Sequence, residues 1–172
     1  MSREFRLAMI QLCLAQLDPS GRQSKEAGAI QSWLRGELRQ MSALKKLLIF
    51  QKVNRSNARD LIASFAHWVR LLGKPGVVLT IDISAFMGSK GADPKSLSYS
   101  PSAVMDAYEM LRQFIDGSDD MEGLLLVVVT PKSFLSDQRL GLNRYEALKL
   151  RIWDDVRDKF RQNPFAPMVR LT

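Results

Sequence analysis

One cysteine and one histidine among 172 residues remove whole classes of chemistry. A lone Cys13 closes no internal disulfide. With His67 as the only imidazole, neither a histidine-rich metal site nor a Cys-His pair has its donors. The longest unbroken aliphatic run, Leu124 to Val129, is six residues, against the roughly 20 that a membrane span needs. The opening "MSREFRLAMIQLCLAQLD" is helix-periodic, interrupted by Gln11 and Gln16, and lacks a small-residue cleavage site. No signal peptide is expected from it. The expectation is a cytoplasmic protein, with no membrane partner and with Cys13 as a buried thiol. Internal repeats and low-complexity tracts are also missing.

What is present is an ordinary globular composition, 46% hydrophobic and 25% charged, long enough to bury about two-thirds of its unfolded surface. A single domain over 1–172 is expected, with a basic helical part (1–75) and a βαβα part (76–172). Charge is uneven. Residues 1–76 hold 13 Lys/Arg against 5 Asp/Glu, whereas residues 77–172 hold 12 against 13. A surplus confined to one part suits an anionic partner such as DNA. Arg35, Arg39, Lys45, Lys46, Lys52, Arg55 and Arg59 are its candidate phosphate contacts; a solvated helical surface explains the same residues.

Residues 4–17 predict a largely buried helix. A second helix is expected over Lys25 to Arg39 with Ser24 as its N-cap. "SALKKLLIFQKV" is ambiguous between helix and strand. "SNARDLIASFAHWVRLLG" puts Leu61, Ile62, Phe65, Trp68, Val69 and Leu72 on one helical side, with Gly73 as terminator. "VVLTID", Val77 to Asp82, and "LLLVVVT", Leu124 to Thr130, predict buried strands. Between them lie a long loop and a helix from about Ala103 to Asp116, capped by Ser100 or Ser102. "PKSFLSDQRLGLNR" predicts a basic loop, Tyr145 to Arg161 a helix, and "APMVRLT" a short third strand. Strand, helix, strand in that order makes a right-handed βαβ unit with parallel neighbours. Asp82 and Thr130 then emerge together at the carboxyl edge of the sheet.

An apolar strand ending in Asp is the form of a Walker B element, whose carboxylate holds the waters of a nucleotide-bound magnesium. Thr130 would be the polar sensor on the next strand. The phosphate loop G-x-x-x-x-G-K-[ST] is absent: Gly73-Lys74 is followed by Pro75, with Trp68 at the first glycine position. "GSKG", Gly88 to Gly91, is placed as a flexible loop after a strand. Ile83 stands where hydrolysing ATPases carry a water-orienting Glu, and an alkyl group cannot polarise water. "DISAF" also resembles the D-x-S-x-S metal motif, with Phe86 replacing its second serine. D-x-D-x-T fails at Ser84. A third reading has Asp82 simply cap the turn that follows it. Asp119-Asp120 suit a solvated acidic turn. Arg139 and Arg144, after the second strand, are placed as arginine fingers would be, or pair with acids nearby such as Asp137 and Glu146.

Several stretches together, "IQLCLAQLDP", "WLRGELR", "NARDLIASFAHWVRLLG", "YEMLRQFIDGSDDMEGLLLVVV" and "FLSDQRLGLNRYEALKLRI", resemble the ATP-binding proteins of bacterial BREX-type phage-defence systems. These are AAA-like P-loop proteins. The resemblance runs over nearly all of the chain, most specifically at the Arg-Gln-Phe-Ile-Asp and Asn-Ala-Arg-Asp segments. It implies a longer relative whose P-loop precedes the region matching Met1. Asp82 matches the Walker B acid, and Arg139 matches the arginine of an Arg-Gly loop that here reads Arg139-Leu140-Gly141. The expected fold is α/β and helix-rich, with a small parallel sheet forming a partial AAA-like P-loop NTPase core that lacks the phosphate-loop strand. The expected function is a nucleotide-site module of an anti-phage defence ATPase. It would bind Mg-ATP only in a larger assembly and be incompetent for hydrolysis alone, with apolar sheet edge covered by a homo-oligomer or a partner defence subunit. The alternative is a nucleic-acid-binding or scaffolding subunit that uses the basic helices and no nucleotide.

Overall fold

The computed structural model describes residues 1–18, 20–21, 24–87 and 99–152. It divides into two units, Met1–Val77 with Met121–Leu124, and Val78–Asp120 with Leu125–Thr172. The predicted helix beyond Ile152, the "APMVRLT" strand and "GSKG" lie outside the described residues.

The first unit is helical. Helix α1 (Arg3–Leu17) starts at Ser2, whose hydroxyl accepts the Phe5 N–H, closing one of the donors that a helix start leaves open. The Ser2 N–H donates to Ser64 Oγ at 2.7 Å, which ties α1 to α4 (Ala58–Leu71). Helix α2 (Ser24–Leu34) stops five residues before the expected Arg39. Gly36, with φ of 75°, takes the left-handed conformation that breaks the helix there. Helix α3 (Ser42–Lys45) is one turn, and no strand forms in "SALKKLLIFQKV". The core is Ala8, Ile30, Trp33, Leu44 and Ile49. Trp33 is buried, and its indole N–H donates to the Gln51 carbonyl at 2.7 Å, the partner a buried indole requires.

Two expectations fail here. Helix α1 buries only Phe5 and Ala8, leaving Ile10, Leu14 and Leu17 exposed, and Cys13 is exposed rather than buried. Its apolar residues spread around the helix, but its neighbours α2 and α4 cover only part of the circumference. Likewise α4 buries Ser64 and Ala66 while Phe65 and Leu72 face out. His67 lies exposed on the α4 surface.

A two-stranded sheet of β1 (Val77–Asp82) and β2 (Leu124–Val129) belongs to the second unit from Val78 and Leu125 onward. Bonds from Val77 N to Gly123 O and from Ile83 N to Val129 O advance together along both strands, so the pair is parallel. A Cβ on Gly76 would run into the Gly123 carbonyl, so the close approach at the start of the pair requires glycine. Helix α5 (Pro101–Asp116) is capped by Ser100, whose hydroxyl accepts the Ala103 N–H at 3.2 Å, with Pro101 in its first turn. Ile83, Val104, Tyr108, Leu111, Phe134, Leu142 and Leu148 form the core, with Ile81 and Val128 against it.

The strands are not fully buried. Both alternate between half-buried and exposed positions. Val78 (66% exposed), Leu125 (59%), Val127 and Val129 lie bare on the other face. A parallel sheet ordinarily has both faces covered; here the covered face is the one against α5. The predicted basic loop is instead folded as α6 (Ser133–Ser136) and a 3-10 turn at Leu142–Arg144, anchored by buried Phe134, Leu140 and Leu142. Helix α7 (Glu146–Ile152) then packs on α5. Among the described residues no helix is long and apolar enough to cross a membrane.

Candidate functional site

Strand β1 ends at Asp82 and β2 at Val129, and the Ile83 N to Val129 O bond of 3.0 Å aligns their ends. Asp82 and Thr130 therefore lie at the same carboxyl rim of a parallel pair, where α/β sheets place ligand groups. The Asp82 side chain is exposed, and Oδ1 accepts the Ser84 N–H at 2.8 Å. That bond closes the 3-10 turn Ser84–Met87, so the capping role weighed for Asp82 is real. Hydrogen bonds from Ser84 also hold its carboxyl below the usual carboxylate range. An ionised, accessible carboxylate at a strand end suits the water shell of a hard cation.

The neighbouring position is closed to that chemistry. Ile83 is fully buried in the core of the second unit. The pleat that turns Asp82 outward turns residue 83 inward, so an acid at 83 would face apolar side chains rather than a nucleotide. The described residues form no cluster of three or more metal-ligating side chains. Asp119 and Asp120 lie exposed in the 3-10 turn Ser118–Asp120.

Beyond the rim, Asp137 Oδ1 accepts the N–H groups of Arg139 and Leu140, at 2.7 and 2.8 Å. These backbone donors keep the Asp137 carboxyl ionised below its ordinary range. They also bend the chain so that Leu140 is buried while Arg139 faces solvent. The Leu140 carbonyl accepts the hydroxyl of buried Tyr108, whose own pKa is pushed up to about 12 by burial and then by Asp137. Arg144 is exposed as well.

A second cluster was not legible from motif reasoning. Arg112 on α5 bonds Glu109 and Asp116 on the same helix, Arg151 of α7 binds both oxygens of Asp116, and the Tyr145 hydroxyl donates to Glu109. Glu109 and Asp116 are both held below the ordinary carboxylate range, Glu109 chiefly by Arg112 and Asp116 chiefly by Arg151. The Arg-Gln-Phe-Ile-Asp segment is therefore an ionic clamp between α5 and α7. Its signal in the sequence was the Glu109, Arg112, Asp116 spacing of three and four.

In the first unit Arg35, Arg39, Lys45, Lys46, Lys52 and Arg55 are exposed, and Arg59 is half-buried. Lys46 is bonded to Glu26, whose carboxyl it holds down. Lys52 Nζ donates to the Arg39 carbonyl at 2.9 Å, and Arg59 stands 3.4 Å from Asp60. The cleft of about 440 Å³ between α1 and α2 is lined by Leu12, Ala15, Gln16, Ala27, Gly28 and Gln31. With no titratable group, it offers no acid–base or metal chemistry.

Comparison with known proteins gives one family. A family model described as BREX system ATP-binding protein BrxC/D matches residues 3–172. No curated protein matches, and no solved structure does.

Proposed function

Since the chain belongs to the family of BREX system ATP-binding proteins BrxC/D, we propose that it is a nucleotide-site module of a phage-defence ATPase, acting only within an assembly. The observation that carries this is the shared rim, with an ionised Asp82 at the end of β1 and Thr130 directly after the end of the parallel β2. Asp82 would hold the waters of magnesium, and Thr130 would meet the γ-phosphate. Arg139 and Arg144 would be available to a phosphate on a neighbouring subunit. A carboxylate at the end of β1 suits the metal position, whereas Thr130 shares the rim but follows exposed Val129 on the half-buried side of the pleat. The described residues do not supply the phosphate cradle, because the chain has no G-x-x-x-x-G-K-[ST] segment. They also supply no water-orienting acid beside Asp82. Hydrolysis by the isolated chain is not expected.

The bare aliphatic face of the sheet supports the same reading, since Val78, Leu125, Val127 and Val129 need a cover. A second copy or another defence subunit would supply it. Light scattering on the isolated chain at micromolar concentration should find an oligomer; a clean monomer counts against a second copy. The nucleotide reading is tested by photolabelling with 8-azido-ATP. Magnesium-dependent labelling of the chain is expected in its defence assembly and not in isolation. An assembly whose copy of this chain never labels contradicts the proposal.

A second reading rests on the first unit. Its exposed cations among few acids fit a nucleic-acid-binding subunit. Titration with DNA at two salt concentrations tests it, because phosphate-dominated binding weakens steeply with salt.

A further inference from the structure

Residues 45–52 carry an exposed aromatic ring inside the most basic part of the chain. Residues 35–59 contain seven Lys/Arg and one Asp/Glu. Within them the chain leaves α3 at Lys45 and turns at Leu48, whose φ of 60° is the one positive value outside glycine among the described residues. A leucine in the left-handed region is a true outlier, and such outliers mark positions that the surrounding structure enforces. The turn sends Ile49 into the core, fully buried, and leaves Leu48 (49% exposed) and Phe50 (52%) facing solvent on either side. The segment is pinned just beyond, where the Gln51 carbonyl accepts the Trp33 indole N–H at 2.7 Å and Lys52 Nζ donates to the Arg39 carbonyl at 2.9 Å.

Phe50 is thus held in solvent with Lys45 before it and Lys52 after it, and Lys52 is tied back to the backbone of Arg39. Lys46 is occupied by Glu26. An aromatic face flanked by cations is what an unpaired nucleotide requires: the base stacks on the ring while the phosphates meet the charges. A duplex keeps its bases stacked on one another and offers the ring nothing. A lipid surface would need a broader apolar face than two side chains beside a one-turn helix.

We propose that Phe50 is the stacking residue of a single-stranded nucleic acid site, with Lys45, Lys52 and Arg39 neutralising the flanking phosphates. This rests on the second reading above. The test uses the full chain and fluorescence anisotropy with a labelled oligothymidine of about 20 nucleotides, and with a duplex of the same length, at about 50 and 200 mM salt. The oligothymidine should bind more tightly than the duplex. Phe50→Ala should weaken oligothymidine binding about 5- to 100-fold with its salt dependence unchanged, and Phe50→Trp should keep it. Lys52→Gln should lower the salt slope by about 0.7, the value for one single-strand phosphate. An unchanged affinity in Phe50→Ala, or a preference for the duplex, overturns the stacking assignment and leaves the second reading standing. No binding of either nucleic acid at low salt removes both. Binding to anionic vesicles that Phe50→Ala abolishes, with no oligonucleotide binding, overturns the proposal in favour of a lipid surface. Melting of Phe50→Ala should match the parent chain, since the ring is exposed.

Discussion

The two units solve the same problem of size in different ways. The first closes a small core around Trp33 and spreads its surplus positive charge over exposed side chains. The second neutralises its charges against one another, with Arg112, Arg151, Glu109 and Asp116 clamping α5 to α7, yet leaves an aliphatic sheet face bare. Surplus charge and uncovered apolar area underlie two different proposals: an anionic partner at the first unit and an apolar cover on the second.

The sharpest way to break this comparison is at Ile83. If the second unit were a hydrolytic site lacking one residue, Ile83→Glu would restore activity. The buried position predicts instead a loss of about 3–5 kcal/mol of stability from an unpaired buried charge, read as a lowered denaturant midpoint, and no ATPase. Next in size is Tyr108→Phe, which strands the Leu140 carbonyl inside the core. It should cost about 1–3 kcal/mol in chemical denaturation. By contrast, Lys45→Gln in the first unit touches only an exposed cation and should stay within about 0.5 kcal/mol of the parent.

The clamp gives a pH signature. Glu109 and Asp116 lie below their ordinary range in the folded chain, so the unfolded chain binds more protons as pH falls through the normal carboxylate region. Their contribution is complete above that region, from about pH 5 upward, and is lost as pH drops through it. Asp116→Asn should flatten this acid limb of the melting-temperature curve and lower the neutral plateau slightly. An unaltered acid limb would show that the clamp contributes little.

Much of this was legible in the sequence. Val77–Asp82, Leu124–Val129 and Pro101–Asp116 stand where the apolar runs, Ser100 and the helical spacing put them, because each has local signals that agree. The rim followed, since two strands joined by a right-handed crossover bring Asp82 and Thr130 to one edge. Burial was less legible. Cys13 and Leu14 look like core residues in a periodic pattern, and only tertiary structure decides which side of α1 receives a neighbour. The C-terminal end of α2 and the turn at Leu48 were also missed. Gly36 and an αL leucine act through backbone dihedrals, which no hydrophobic pattern encodes. The Glu109–Tyr145 and Asp116–Arg151 bonds join residues 36 and 35 apart in sequence, beyond any local motif.

The division of labour is tested most directly by one crossed experiment on the chain in its defence assembly. Asp82→Asn and the double variant Lys45→Gln, Lys52→Gln are each assayed for magnesium-dependent 8-azido-ATP labelling and for oligonucleotide binding. Asp82→Asn should lose the labelling and keep the nucleic acid, and the lysine variant should do the reverse. Labelling that survives in Asp82→Asn, or two assays that fall together in either variant, would contradict the assignment of the two chemistries to separate units.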